Sequence, residues 1–236
     1  MIYNCNWKDI IHNIDKVDLV VTDPPYEYAT FREGCGGTLN NLGGFDKTLL
    51  PVNNITETEF NLEEFCEEII NVMKDINIYI WCNKKQIIQY FNIFVNKYHC
   101  LYDILVWNKI NALPSYANKY LTDCEYCLYF HNSGHCFPEN YEDAKTIFYN
   151  PINRENKKWG HPTIKPLEFI CSMVRNSSKE GDVVFDPFMG SGTTGVACRQ
   201  LNRQFIGCEI NSEYFKICQE RINGVLPIKH KNNALF

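Results

Sequence analysis

The sequence predicts an α/β fold, in which helices pack against a parallel sheet, and three stretches carry this prediction. The apolar run 183–185 enters a glycine turn, and a helical pattern leaves that turn at Thr193. The apolar run 17–22 has the composition of a buried strand and ends at two prolines. The stretch 61–73 has the spacing of an amphipathic helix, and a strand-like run over 77–82 follows it. Alternation of this kind is typical of strands joined by crossover helices.

The remaining elements continue the alternation, and nothing in the chain suggests a linker or a repeat. Strand-like runs cover 1–4, 101–109, 124–131 and 203–207, and helical patterns cover 9–14, 84–98, 166–176 and 211–222. Residues 132–160 show no firm period. We therefore expect one domain over residues 1–236, which is long enough to bury a sizeable core.

The glycine turn, residues 186–195, is the first candidate binding element. Gly190 and Gly192 allow a sharp turn and leave room for a ligand against the main chain. The N–H groups of the turn and of the following helix can donate to a carboxylate or a phosphate. Glu209, after the next strand, suits paired ribose hydroxyls. The glycine spacing differs from that of dinucleotide sites, and no P-loop lysine follows, which argues against NAD and ATP.

The second candidate element is Asp23-Pro24-Pro25-Tyr26, directly after the strand-like run 17–22. Two prolines end the hydrogen-bonded ladder of a strand and stiffen the backbone. They should fix the carboxylate of Asp23 and the ring of Tyr26 at the carboxyl end of that strand.

These two motifs, together with His161-Pro162-Thr163-Ile164-Lys165-Pro166, resemble the amino-methyltransferases of DNA. Because the Asp-Pro-Pro-Tyr motif precedes the glycine turn, the order is similar to the circularly permuted beta group of that family. The resemblance covers nearly the whole chain, from Met1 to about Ile222. It implies a Rossmann-like, mostly parallel sheet of seven strands, with helices on both faces and the last strand antiparallel.

The resemblance also implies S-adenosyl-L-methionine as the cofactor. Thr163 and Lys165 would hold its carboxylate, Glu209 its ribose, and Phe188 would pack on it. Asp186 would orient the amino group or brace the turn. Asn6 replaces the acid that the family often carries there, and it is equally suited to capping the next helix. The implied cofactor residues are Asn6, Asp23, Thr163, Lys165, Asp186, Phe188, Gly190, Ser191, Gly192, Thr193, Glu209 and Ile210.

The implied reaction is methylation of an exocyclic amine, with Asp23, Pro24, Pro25 and Tyr26 as the catalytic residues. The lone pair of such an amine is delocalised into the ring, so the Asp23 carboxylate and the Pro24 carbonyl would each accept one N–H. Tyr26 would stack on the base, which must be flipped out of the duplex. Asp in the first position resembles N6-adenine enzymes. Cytosine N4, adenine in RNA and a non-catalytic cofactor-binding subunit remain alternatives.

Composition is compatible with a DNA partner. The net charge of −5 does not exclude DNA, because phosphate binding depends on where the basic residues lie. The expected contacts are Lys84, Lys85, Arg154, Lys157 and Lys158. Residues 132–160 are a candidate short target-recognition insert, which points either to a brief recognition site or to a partner, such as a homodimer or a separate recognition protein. The glycine-rich stretch 34–44 is expected to be a lid over the substrate, with a plain surface loop as the alternative.

Neither a membrane span nor a metal site is expected. No apolar run approaches about 20 residues, and the N-terminus lacks the features of a signal peptide, so a cytoplasmic protein is expected. The 12 cysteines are scattered. Cys124 and Cys127 are three apart in a strand-like run, so they should point to opposite faces and not share a zinc ion.

Overall fold

The computed structural model describes residues 1–25, 60–112, 120–151, 159 and 164–224. Its strands are β1 (Ile2–Tyr3), β2 (Leu19–Thr22), β3 (Asn77–Cys82), β4 (Leu101–Lys109), β5 (Cys124–His131), β6 (Ile147–Asn150), β7 (Val183–Asp186) and β8 (Gln204–Cys208). They form one sheet in the order β1-β8-β7-β2-β3-β5-β4-β6. The predicted α/β class with a mostly parallel sheet is confirmed.

Two details of the predicted sheet are wrong. The sheet has eight strands among the described residues, not seven. The additional strand is β6, which pairs with β4 at the end of the described sheet and alternates between exposed and half-buried residues, so no apolar period reveals it. The antiparallel strand is β5, which lies between β3 and β4, whereas the last strand, β8, runs parallel to both β1 and β7.

The helices are α1 (Leu62–Val72), α2 (Gln86–Phe91), α3 (Leu167–Ser177), α4 (Thr193–Gln200) and α5 (Ser212–Asn223). The helix predicted over 9–14 is instead two 3-10 turns, Trp7–Asp9 and Ile11–Asn13. The helix predicted over 84–98 is α2 followed by a π-helical stretch, Asn92–Lys97. Helix α2 begins at Gln86 and not at residue 84, because the Asn83 side chain accepts from the N–H groups of Lys85 and Gln86.

Strand alternation divides the core into two layers. Val20, Ile78 and Ile80 pack with α1 on one face of the sheet. Val21 and Trp81 point the other way and pack with α3 and α4. Helices therefore cover both faces, as predicted. Burial of a large apolar side chain contributes roughly 1.5–3 kcal/mol, so these two layers hold the ends of the strands in place.

The arrangement brings several chain segments to one edge of the sheet. The parallel strands β2, β3, β7 and β8 all end there, and we call it the carboxyl edge. Because β5 is antiparallel, it begins at this edge, where Asn108 pairs with Cys124. Open parallel sheets bind ligands at the carboxyl ends of their strands, so a functional site is expected here.

Candidate active site

A pocket opens at the carboxyl edge between the ends of β2 and β7. It brings together both sequence motifs, which lie more than 160 residues apart in the chain. The predicted site residues that line it are Asp23, Lys165, Asp186, Phe188, Gly190, Ser191 and Thr193.

The glycine turn forms one wall of the pocket, and position 192 requires glycine. The N–H of Gly192 donates to Met189 O at 2.7 Å, which closes the turn. Gly190 has φ 49° and Gly192 has φ 76°, both in the left-handed region. A Cβ atom at Gly192 would lie 2.5 Å from Sγ of Cys218 in α5. Helix α4 begins directly after Gly192, so its N-terminal N–H groups face the pocket side of the turn.

Glu209 and Arg221, which lie outside the motif, stabilise this turn through hydrogen bonds. Oε2 of Glu209 accepts from the N–H of Gly190 at 3.0 Å, and Oε1 accepts from the N–H of Asn211 at 2.7 Å. The buried guanidinium of Arg221 donates to Ser191 O and, at 3.1 Å, to Oγ1 of Thr193. Burial raises the pKa of Glu209. Carboxylate oxygens accept more than one hydrogen bond, so the predicted ribose contact of Glu209 stays a prediction compatible with this geometry.

Asp186 lies at the bottom of the pocket with 4% of its surface exposed. Its Oδ1 accepts from the N–H of Phe188 at 3.1 Å, so it braces the turn. Burial raises its pKa to about 7, although hydrogen bonds from Thr194, the Phe188 N–H and Thr22 oppose the shift. The alternative role for Asp186, orienting an amino group, stays a prediction.

Asp23 forms the opposite wall, and its two oxygens differ. Oδ2 lies 2.6 Å from Nζ of Lys165. Oδ1 is buried and has no hydrogen-bond partner among the described residues. A buried acceptor without a partner is costly, so such an oxygen is expected to serve a bound donor.

Lys165 lines the pocket and pairs with two acids, and its predicted contact with a cofactor carboxylate stays a prediction. Its side chain is 9% exposed and its ammonium lies 3.0 Å from Oε2 of Glu125, in addition to Asp23. The ammonium also lies 4.7 Å from the centre of the Trp81 ring. Burial favours the neutral amine, but Asp23 and Glu125 outweigh it and raise the pKa of Lys165, which is therefore cationic.

Glu125 and Lys109 belong to this site although the sequence did not single them out. Nζ of Lys109 lies 2.6 Å from Oε1 of Glu125. Burial opposes ionisation of Glu125, but Lys165 and Lys109 outweigh it and lower its pKa. The available signal was an acid inside the otherwise apolar strand of Cys124–His131; its position at the site follows from the reversed direction of β5.

The backbone of the Asp-Pro-Pro motif is held by α2. The carbonyl of Pro25 accepts from Nε2 of Gln86 at 3.2 Å, and Gln86 is fully buried. Oε1 of Gln86 in turn accepts from the N–H of Asn83. Pro24 is buried. This contact restricts the motif beyond the rigidity that its prolines supply.

Other predicted residues lie beside the pocket or outside the described residues. Asn6 caps the first 3-10 turn, accepting from the N–H of Lys8, so its cofactor role stays a prediction. Ile210 is 45% exposed, and Lys84 and Lys85 are exposed at the carboxyl edge. Tyr26, Thr163, Arg154, Lys157, Lys158 and the stretch 34–44 lie outside the described residues.

The candidate recognition insert, 132–160, begins far from the pocket. His131 pairs with Asn77, which places the start of the insert at the edge opposite the carboxyl edge. The chain returns along β6, and Asn150 pairs with Lys109 near the pocket. Its role in recognition stays a prediction.

Cys124 and Cys127 differ in their surroundings. Sγ of Cys124 accepts from the amide of Asn108, whereas Cys127 is fully buried. Across the described ranges, no group of three or more His, Cys, Asp or Glu residues is arranged to hold a metal ion. Within the same ranges, no helix is long and apolar enough to cross a membrane.

The comparisons with known proteins agree with this geometry. A family model described as DNA methylase, N6_N4_Mtase, matches residues 17–220. The chain belongs to this DNA methylase family. The resemblance seen in the motifs is thereby confirmed.

Individual methyltransferases resemble this methylase in sequence and in fold. It is 31% identical over 234 residues to the Type II methyltransferase M.HpaI of Haemophilus parainfluenzae, covering 89% of this chain and 69% of that protein. The crystal structure of the M1.HpyAVI–SAM complex superposes with a TM-score of 0.67 at 25% identity, covering 94% of this chain and 98% of that chain. The cytosine-N4-specific PvuII DNA methyltransferase shares the fold, with a TM-score of 0.66 at 14% identity, over 96% of this chain and 94% of that chain.

Proposed function

We propose that this methylase transfers a methyl group from S-adenosyl-L-methionine to the exocyclic N6 of an adenine flipped out of DNA. The observation that carries the proposal is the asymmetry of Asp23. One oxygen is held by Lys165, and the other is a buried acceptor without a partner among the described residues, beside the glycine turn. Membership of the DNA methylase family supports the same reaction.

The residues of the turn fit the proposed cofactor. A Cβ at Gly192 would close the space, and the turn presents backbone N–H groups next to the buried Asp186. Phe188 would pack on the cofactor, Glu209 would hold the ribose, and Asp186 would accept from the amino group. The related M1.HpyAVI structure is a complex with SAM, which supports this assignment. When bound, S-adenosyl-L-methionine supplies an electrophilic methyl group.

The chain's own residues then position the target amine. Oδ1 of Asp23 would accept one N–H and the Pro24 carbonyl would accept the other, which draws the nitrogen towards tetrahedral geometry. Gln86 fixes the carbonyl of Pro25, so the motif keeps its shape when the base arrives. This is catalysis by orientation and pre-organised polar groups. Stacking by Tyr26 rests on the sequence motif.

Adenine is preferred to cytosine because Asp stands first in the motif. The fold does not separate the two bases, since the cytosine-N4-specific PvuII enzyme shares it. M.HpaI, the relative quoted above, is named a Type II methyltransferase, which supports DNA over RNA as the substrate.

The test is methylation of PCR-amplified genomic DNA, which carries no methylated adenine or cytosine, with isotope-labelled cofactor. Nucleoside analysis should find the label in N6-methyladenine. Label in N4-methylcytosine would show that cytosine is the target base. Label found only in an RNA sample would show that RNA, not DNA, is the substrate. Cofactor binding without any transfer would instead favour a non-catalytic subunit.

We also propose that DNA phosphates contact Lys84 and Lys85, with Arg154, Lys157 and Lys158 as further contacts. Lys84 and Lys85 are exposed at the carboxyl edge, beside the end of β3. A homodimer or a separate recognition partner would supply additional contacts to the bases. Light scattering of the protein alone and with DNA measures the molar mass and so shows whether a dimer forms.

A further inference from the structure

Four charged side chains from four separate segments meet beside the pocket. Asp23 follows β2, Lys165 precedes α3, Glu125 lies in β5, and Lys109 ends β4. We call these residues the ionic cluster. Its members form three successive ion pairs: Asp23 with Lys165 at 2.6 Å, Lys165 with Glu125 at 3.0 Å, and Glu125 with Lys109 at 2.6 Å. Two carboxylates and two ammonium groups make the ionic cluster electrically neutral.

Glu125 is a second anionic neighbour of Lys165, in addition to Asp23. A lysine has a flexible stem and three N–H donors, so one carboxylate alone does not fix the direction of its ammonium. Here Oε2 of Glu125, which is an ion-pair partner at 3.0 Å without hydrogen-bond geometry, and the face of Trp81 attract the ammonium and restrict it. The ammonium therefore contacts Oδ2 of Asp23 and leaves Oδ1 without a partner among the described residues.

We propose that Glu125 is a positioning residue for methyl transfer, because it draws the Lys165 ammonium away from Oδ1 of Asp23 and so keeps that oxygen available to the target amine. The inference rests on the proposed function of Asp23. It assigns Glu125 no contact with either substrate.

Loss of the Glu125 charge has two consequences. Lys165 and Lys109 no longer share a counter-charge, so the ionic cluster carries an excess positive charge in a largely buried site. The ammonium of Lys165, no longer attracted by Glu125, can then shift towards Oδ1 of Asp23. The target amine loses its acceptor, whereas the glycine turn keeps its shape, because Glu209 and the turn's own backbone supply its hydrogen bonds.

The test compares Glu125→Gln with Glu168→Gln, which removes an exposed acid from the first turn of α3, three residues after Lys165. Single-turnover methylation of PCR-amplified genomic DNA should slow by about 10- to 100-fold in Glu125→Gln. Its Kd for S-adenosyl-L-methionine, measured by calorimetry, should stay within about threefold of wild type. Glu168→Gln should match wild type in both measurements.

A second variant separates positioning from stability. Glu125→Gln combined with Lys109→Met removes one charge of each sign and restores neutrality, but it does not replace the partner of Lys165. Its Tm should recover relative to Glu125→Gln while its single-turnover rate stays low. Recovery of the rate together with the Tm would mean that Glu125 only stabilises the fold, and would overturn the inference.

The outcomes also distinguish this inference from the proposed function. A wild-type rate in Glu125→Gln, measured beside an active parent protein, overturns the positioning role alone. A parent protein that binds cofactor but methylates neither DNA nor RNA overturns the proposed function, and the positioning role with it.

Discussion

Asp23 and Asp186 occupy similar places in neighbouring parallel strands, and each is followed by a proline. Their surroundings are opposite. Asp23 faces the buried ammonium of Lys165, which the segment before α3 supplies. Among the described residues, the groups that hydrogen-bond Asp186 are hydroxyls and a backbone N–H, and its burial raises its pKa to about 7. The same dipeptide on adjacent strands thus acquires different electrostatics from elements that are remote in the chain.

The difference suits two different ligands. A target amine is neutral, so Asp23 can carry its own cation and still offer a second oxygen. The amino group of the proposed cofactor is cationic, so it would supply the positive charge that Asp186 lacks. The following predictions test this division, beginning with the largest expected effect.

Removal of Asp23, the acid paired with Lys165, should slow methyl transfer strongly and leave cofactor binding nearly unchanged. Asp23→Ala deletes the proposed acceptor, so single-turnover methyl transfer should fall by about 100-fold or more. Cofactor affinity should change by only a few-fold, because the glycine turn is untouched. Asp23→Asn keeps one acceptor oxygen; it should exceed Ala in rate if geometry dominates and equal it if charge dominates. Near wild-type transfer by Asp23→Ala would refute the assigned role.

A change in the turn should have the opposite signature. Gly192→Ala introduces a Cβ that meets Sγ of Cys218 at 2.5 Å and forces alanine into φ 76°. Cofactor-induced stabilisation, measured as a shift in Tm, should disappear. The control is Gly181→Ala, which has the same kind of strain at φ 87° but open space around its Cβ, and which should keep the shift. Equal losses in both variants would point to backbone strain alone.

The pH dependence should separate the two acids further. Asp186 takes up a proton on folding, because its folded pKa of about 7 exceeds the ordinary aspartate pKa of 3.8. This contribution to stability is lost as the pH rises towards 7, by roughly 2 kcal/mol between pH 5.5 and 7. Urea unfolding should show that loss in wild type and much less of it in Asp186→Asn. Cofactor affinity should rise over the same interval, since an ionised Asp186 binds the amino group; a flat profile would contradict that contact.

The smallest effect is expected for the exposed lysines beside the end of β3. Lys84→Ala with Lys85→Ala should weaken DNA binding by several-fold and reduce the salt dependence of the affinity. Transfer from the fully bound complex should not change, because neither side chain belongs to the ionic cluster. Lys179→Ala, at the turn before β7 on the opposite edge, serves as the control for general charge. An unchanged salt slope in the double variant would place the phosphates elsewhere.

Local patterns predicted the parts of this molecule that local chemistry determines. The bounds of β3, β4 and β5 agree with the apolar runs, and Asp23, Asp186 and the glycine turn meet as expected. The strand β6 escaped prediction because a half-exposed edge strand has no apolar period.

The contacts of Lys165 could not be predicted from local patterns. They depend on which strand lies beside β3 and in which direction it runs. That information comes from long-range pairing, here between Trp81 and Cys127 and between Trp107 and Glu125. For the same reason the sequence did not single out Glu125, the second acid beside Lys165.

The reversed direction of β5 has a consequence for how this enzyme can diversify. The connection from β4 to β5 leaves and re-enters the sheet at the carboxyl edge, next to Lys109 and Glu125. Connections between strands gain or lose residues far more readily than the strands do. New residues between 110 and 123 would extend over the substrate side, whereas those added after His131 would extend from the opposite edge. This hairpin is therefore the natural place for evolution, or for an engineer, to graft a new sequence preference without rebuilding the catalytic scaffold.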